Sequence, residues 1–128
     1  MFRLVNAERV KAGLPEFKKL DALTQAATIR AWECLVDYRH DHSRPDGRSF
    51  ETVLNEQGIS WYTCGENIAA GQKTPEQVVA AWMNSDGHRA NILNEKYVYL
   101  GVGFYYDHDG ASGSSYRYYW AQDFCATR

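Results

Sequence analysis

The stretch Tyr97–Phe104, YVYLGVGF, is where the period of the chain changes. Val98, Leu100, Val102 and Phe104 alternate with Tyr99, Gly101, Gly103 and Tyr105, and a repeat of two marks a strand whose two faces differ. After the turn-forming run 107–115, DHDGASGSS, a second strand is expected from Tyr116 to Phe124, with Tyr116, Tyr118, Trp120, Gln122 and Phe124 on one face. The two segments read as an antiparallel hairpin. What precedes them is mainly helical, and helices followed by an antiparallel sheet with two faces to cover point to an α+β layered domain.

Working back from the hairpin, T-P-E-Q at Thr74–Gln77 supplies a capping hydroxyl, a proline for the first helical position and a glutamine where a capping box needs one. Val78, Val79 and Trp82 form the inner face of that helix, which ends before Gly87. Ile59–Ala70 reads as extended. Ser49 is placed to cap a short helix with Phe50, Val53 and Leu54 inward, stopped at Gly58. Arg39–Arg48, RHDHSRPDGR, is a polar surface loop of the kind that often carries function. Further upstream, Leu23, Ala27, Ala31, Cys34 and Leu35 recur at helical spacing from an Asp21 start, and Leu4, Val5, Val10 and Leu14 suit the buried stripe of a first helix.

The 128 residues carry no internal repeat and no linker, so residues 1–128 read as one domain with one core. With 45% apolar and 14% aromatic residues, there is enough material to offset the chain entropy lost on folding. A net charge of −2 gives no overall field for nucleic acid or an anionic membrane. No apolar run approaches the roughly 20 residues that span a bilayer. The opening residues lack a signal-peptide pattern and run straight into a helix, so the chain reads as a domain cut from a longer precursor. Cys34, Cys64 and Cys125 lack close C-x-x-C spacing; they are either three buried small hydrophobes or one disulfide plus a free thiol.

The chemistry-bearing residues are few. His40 and His42 lie in the polar loop, His88 follows Gly87, and His108 belongs to the hairpin turn as a solvated side chain. Glu66 stands between Gly65 and the apolar pair Ile68 and Ala69, and a buried carboxylate needs a partner: backbone amides, an arginine, or a ligand. Asn67 is expected to tie backbone in a similar way. Two imidazoles and a carboxylate are chemically sufficient for zinc with a fourth position left to water. Neither H-E-x-x-H, nor a G-x-S-x-G elbow, nor a Gly-rich phosphate loop is present. Trp82, Trp120 and Tyr119 read as core packing.

Four motifs in order, HSRPDGRSF at His42–Phe50, CGENIAAGQ at Cys64–Gln72, AWMNSDGHRANIL at Ala81–Leu93 and YWAQDF at Tyr119–Phe124, resemble the CAP superfamily in its compact bacterial form. This is the group of cysteine-rich secretory, antigen 5 and pathogenesis-related proteins, and the resemblance extends to the opening LVNAER. It implies a three-layer α-β-α sandwich with a central antiparallel sheet, and a cleft where two histidines and two glutamates converge. His42, Glu66 and His88 match three of those positions, and Ser85 stands where many relatives have the second glutamate. A serine hydroxyl is a weak ligand, so zinc or another divalent cation would rest on His42, His88 and Glu66. Ser85 is otherwise a cap for the turn near Gly87, with Arg89 and Asn91 tying loops together. Convergence of His42 with Glu66 would favour a Cys34–Cys64 bridge, leaving Cys125 free.

Secretion or a cell-surface location follows from the resemblance. The leading expectation is a non-catalytic extracellular interaction or ligand-binding module, taking a protein, glycan or lipid in the polar cleft, which a divalent metal could share. One alternative is a metal-dependent, peptidase-like hydrolase in which Glu66 and the histidines position a zinc-bound water. That chemistry needs a separate general base, and the sequence offers no clear one. The other alternative, a sterol- or lipid-binding protein, requires an apolar groove between helices.

Overall fold

In a computed structural model, residues 1–108, 110 and 113–128 are described. Nine elements follow one another among them: α1 (Phe2–Lys11), β1 (Lys18–Lys19), α2 (Asp21–Val36), α3 (Glu51–Glu56), β2 (Trp61–Ala70), α4 (Pro75–Met83), α5 (Asp86–Ile92), β3 (Tyr99–Tyr106) and β4 (Tyr118–Thr127). The expected hairpin is present, with β3 antiparallel to β4 from Tyr99 opposite Cys125 to Tyr106 opposite Tyr118. Its turn lies partly outside the described residues. β4 begins two residues later than the periodicity suggested and runs to Thr127, leaving Tyr116 exposed before it.

The sheet order is β1-β3-β4-β2. β2 is antiparallel to β4, whereas β1 adds two residues parallel to β3 at the far edge. Two lysines carry no periodicity, so β1 left no trace in the sequence. Successive side chains of a strand point to opposite faces. Trp120 and Phe124 therefore join Val5, Val78, Val79, Trp82 and Ile92 in the layer of α1, α4 and α5. Their neighbours Tyr119, Ala121 and Cys125 face α2 and α3. With both faces covered, β4 is buried almost throughout, and the three-layer α-β-α arrangement results.

Thr74 and Gln77 cap α4 as expected: the Gln77 amide N–H donates to Thr74 Oγ1 at 3.1 Å, and the Lys73 N–H donates to Gln77 Oε1 at 2.9 Å. Ser49 does not cap α3; its hydroxyl bonds the Glu51 carboxylate instead. The stripe of α1 also differs. Val10 is 58% exposed, and the buried positions are Val5, Asn6 and Arg9. The cause is a set of long-range polar contacts that the apolar pattern could not reveal. Arg9 lies over the Phe17 ring at 3.8 Å and donates to the carbonyls of Pro15, Ile92 and Asn94, satisfying groups that α5 and two loops leave open.

Of the two states expected for the cysteines, the structure holds the unbridged one, with Cys34, Cys64 and Cys125 all free thiols. Cys34 packs with Ile68, Tyr119 and Ala121, while Cys64 lies directly across the sheet from Cys125. Four residues along a strand separate Ile68 from Cys64, about 13 Å at ~3.3 Å per residue. A Cys34–Cys64 bridge is therefore out of reach without backbone movement.

Candidate functional site

Glu66 lies in the middle of β2, opposite Asp123 of β4, on the face that α2 covers. From α2, Arg30 grips it in a two-toothed bond, Nε to Oε2 at 2.8 Å and Nη2 to Oε1 at 2.8 Å. Arg30 also donates to Glu33 at 2.9 Å, and Arg44 of the polar loop donates to Glu33 Oε2 at 3.0 Å and to Glu56 of α3 at 3.0 Å. A chain of alternating charges thus joins β2, α2, the loop and α3. Burial by itself would raise the Glu66 pKa, but the bonds from Arg30, His42 and Asp123 outweigh it and hold this carboxyl below its ordinary value.

Asp123 is the unusual member. It is wholly buried, and as a carboxylate neither of its oxygens would have a hydrogen-bond donor. Burial and the negative charge of Glu66 raise its pKa well above the ordinary aspartate value. A protonated Asp123 donating to Glu66 satisfies both groups, as expected when two carboxyls share one site. The folded state then holds a proton that the unfolded chain releases near pH 4. Stability attributable to this group accordingly falls as pH rises from about 4 towards the folded-state pKa. Asp123→Asn should donate to Glu66 without binding a proton. Its stability relative to wild type should therefore climb by about 1–3 kcal/mol between pH 4 and 7; urea melts across that range test this, and a flat or falling difference would refute the shared proton.

The polar loop brings His42 onto Glu66 from the other side, with Nδ1 3.0 Å from Oε1. An ionised carboxylate only accepts, so Nδ1 carries the hydrogen and Nε2 is left for the cleft. His42 is the only described non-glycine residue with positive φ, at 64°. The loop thus maintains a costly backbone conformation where this ring is aimed, a pattern concentrated at functional positions. His88 is held in an analogous manner, with Nδ1 2.8 Å from Ser85 Oγ. Ser85 does precede α5, but its hydroxyl serves the imidazole and not a backbone amide, so the expected side-chain cap is absent. Burial, followed by the proximity of His42, lowers the His88 pKa. His88 therefore stays neutral while an unfolded chain would protonate, and its share of stability is lost as pH falls below about 6.5.

Together these side chains floor an open cleft of about 620 Å³. Its lining includes the two imidazoles, Ser85 and Asn91 together with the rings of Tyr38 and Tyr116. Asn67 donates to the His88 carbonyl at 3.0 Å, and Asn91 donates to the Glu66 carbonyl at 3.1 Å, locking α5 to β2 beneath the site. Arg89 does not share that task; it pairs with exposed Asp86. His40 packs edge-on against Tyr38 at the cleft margin, whereas His108 is exposed beside Tyr106. Trp82, Trp120 and Tyr119 are buried, as the sequence indicated.

His42, Glu66, His88 and Ser85 thus come together, but not as a ring of ligands around one point. Both Glu66 oxygens are taken by Arg30 and His42, and among the described residues no group of three or more His, Cys, Asp or Glu is arranged to hold a metal. The donor set open to a cation is two imidazoles, short of the three protein ligands of a catalytic zinc site. Sequence reasoning missed Arg30, Glu33, Arg44 and Asp123. The available signal was Arg30 with Glu33 at the spacing of α2's buried stripe, where an unpaired charge would be costly.

The profile of the cysteine-rich secretory protein family, CAP, matches residues 2–124. The chain belongs to this family. Among its relatives, the uncharacterized protein YkwD of Bacillus subtilis is 46% identical over 101 residues, covering 79% of this chain and 39% of that protein. The uncharacterized membrane protein YlbC of the same organism is 31% identical over 100 residues, covering 78% of this chain and 29% of that protein. This CAP domain therefore spans well under half the length of the curated relatives it matches. Among solved structures, an extracellular protein containing a SCP domain from Bacillus anthracis superposes with a TM-score of 0.82 at 27% identity, over 98% of this chain and 39% of that one. An outer surface protein of Borrelia burgdorferi gives 0.86 at 19% identity, over 99% of this chain and 90% of that one, and shares the fold. No helix among the described residues is long and apolar enough to cross a membrane.

Proposed function

We propose that this CAP domain is a non-catalytic binding module that works outside the cell, taking its ligand in the His42–His88 cleft. One observation carries the proposal: each imidazole is anchored through Nδ1, to Glu66 and to Ser85, so that Nε2 of each is kept for what enters the cleft. Prearranged polar atoms in a hollow that Ile68, Ala81 and Trp82 also line are what a binding site needs. The extracellular SCP-domain protein from Bacillus anthracis supports the location.

The same geometry argues against hydrolysis. Glu66, which that reading needs to help position a zinc-bound water, is bonded on both oxygens and has its pKa pushed down. A lipid site fares no better, because the groove between α1 and α4, lined by Leu4, Ala7, Val79, Ala80 and Met83 but also by the charged Glu8, Lys11 and Glu76, has a volume of about 240 Å³. That is below the ~300–1,000 Å³ usual for ligand pockets.

Two imidazoles still make a partial seat for a divalent cation, with other positions left to water or to the ligand. Calorimetric titration with zinc at neutral pH should give one weak site, lost in both His88→Ala and His42→Asn. Asparagine at 42 tolerates the left-handed backbone, so that loss would report the ring and not the loop. Silence of the wild type would remove the metal from the proposal. Chelator-sensitive cleavage of a broad peptide mixture, abolished by Glu66→Gln, would overturn the non-catalytic reading itself.

A further inference from the structure

The register of β2 against β4 fixes the relation of two cysteines. The Gly71 N–H donates to the Tyr118 carbonyl at 2.8 Å, which makes 71/118 a hydrogen-bonded pair. Hydrogen-bonded and non-hydrogen-bonded pairs alternate along an antiparallel ladder. Counting back, Ala70/Tyr119, Ile68/Ala121, Glu66/Asp123 and Cys64/Cys125 are all of the non-hydrogen-bonded kind. The outward carbonyls agree: those of Cys64, Glu66 and Ile68 accept from Tyr97 Oη at 3.1 Å, Asn91 Nδ2 at 3.1 Å and Trp82 Nε1 at 3.2 Å, all outside the ladder.

In such a pair the Cα atoms lie about 4.5 Å apart with side chains on one face, inside the roughly 4.4–6.8 Å that a disulfide spans. Both residues pack into the same core cluster beneath α2 and α3, where Cys125 is fully buried and Cys64 is partly open. We propose that Cys64 and Cys125 are a cross-strand disulfide site, closed by a small-molecule or protein disulfide as oxidant, with Cys34 remaining a thiol. The Cys64 thiolate attacks a sulfur of the oxidant, forming a mixed disulfide and releasing one thiolate. The Cys125 thiolate then attacks the Cys64 sulfur and releases the second, so the protein loses two hydrogens and the oxidant is reduced to two thiols.

Burial pushes the Cys64 thiol up to about 12 and the Cys125 thiol up to about 11. Few thiolates exist in the folded domain at neutral pH, so the bridge closes during folding and is slow to form afterwards. Since β2 is an edge strand paired with another strand along one side only, the bridge would fasten it beside Glu66, close by along the same face.

The test is refolding from denaturant in a buffer of reduced and oxidised glutathione, followed by unfolding, alkylation and mass spectrometry. The expected product carries one alkylated thiol, has lost two hydrogens, and yields a peptide joining Cys64 to Cys125. Its Tm should exceed that of the reduced protein by about 10 °C, reversibly with dithiothreitol. Cys34→Ser should retain the bridge, and Cys125→Ser should give two alkylated thiols and no internal cross-link. Three alkylated thiols in the refolded wild type, glutathione retained on Cys64, or a bridge through Cys34 would each overturn the proposal.

Discussion

Replacing Glu66 with alanine should cost about 3–5 kcal/mol of unfolding free energy, a large share of the ~5–15 kcal/mol that holds a domain of this size. The carboxylate is fully buried and neutralises Arg30, whose guanidinium is itself almost wholly buried between α2 and the sheet. With Glu66 gone, Arg30 keeps only Glu33, which already serves Arg44. Water cannot reach the freed donors without opening the interface, so much of the desolvation cost goes uncompensated. Urea denaturation should register the loss as a lower midpoint with an unchanged slope, and Tm should fall by roughly 10–20 °C. Glu66→Gln keeps one acceptor for Arg30 and should fall between the two. The double variant Arg30→Met, Glu66→Leu should recover much of the deficit, because apolar pairs of similar volume often replace buried ion pairs without loss. A loss below about 1 kcal/mol in Glu66→Ala would mean that the charge chain does not support the fold.

That chain of charges marks where the sequence ceased to be readable. The period-two run at 97–104, the cap at Thr74 and the alanine-rich stripe of α2 disclosed their elements because each is a local pattern with a local cause. His42, Glu66, His88 and Ser85 were recognisable as a cleft only through motif resemblance, since 45 residues of chain lie between His42 and His88. What each does was legible only in part. An arginine partner for Glu66 was among the sequence's options, but the identity of Arg30 and the presence of Asp123 depend on β4 lying between β2 and β3. Arg9 and Val10 exchanged roles for the same reason: carbonyls left over by α5, 83 residues away, draw a guanidinium inward more strongly than the apolar pattern draws a valine. Long-range polar satisfaction leaves no periodic trace.

Gly103 should tolerate nothing larger than hydrogen, and Gly103→Ala is expected to destabilise by about 3 kcal/mol or more, beyond the usual ~1–3 kcal/mol for an added methylene in a packed core. Its φ is not the reason; the cause is α2. A β-carbon at this position would run into the carbonyl oxygen and carbon of Ala27, and one at Gly101 would strike those of Leu23 one helical turn earlier. These obstacles are backbone atoms, which cannot swing aside as a side chain does, so α2 would have to lift from β3 along that turn. Lifting α2 also draws Arg30 away from Glu66 and removes the support behind His42, so the damage should reach the cleft although Gly103 does not line it. Gly87→Ala is the matched control, because a β-carbon there meets nothing within 4 Å and α5 gains helix propensity. Thermal melts should show Gly103→Ala lowered by about 10 °C with Gly87→Ala near or above wild type. Equal melting temperatures for Gly103→Ala and wild type would show that α2 rides higher on the sheet than its contacts with β3 imply.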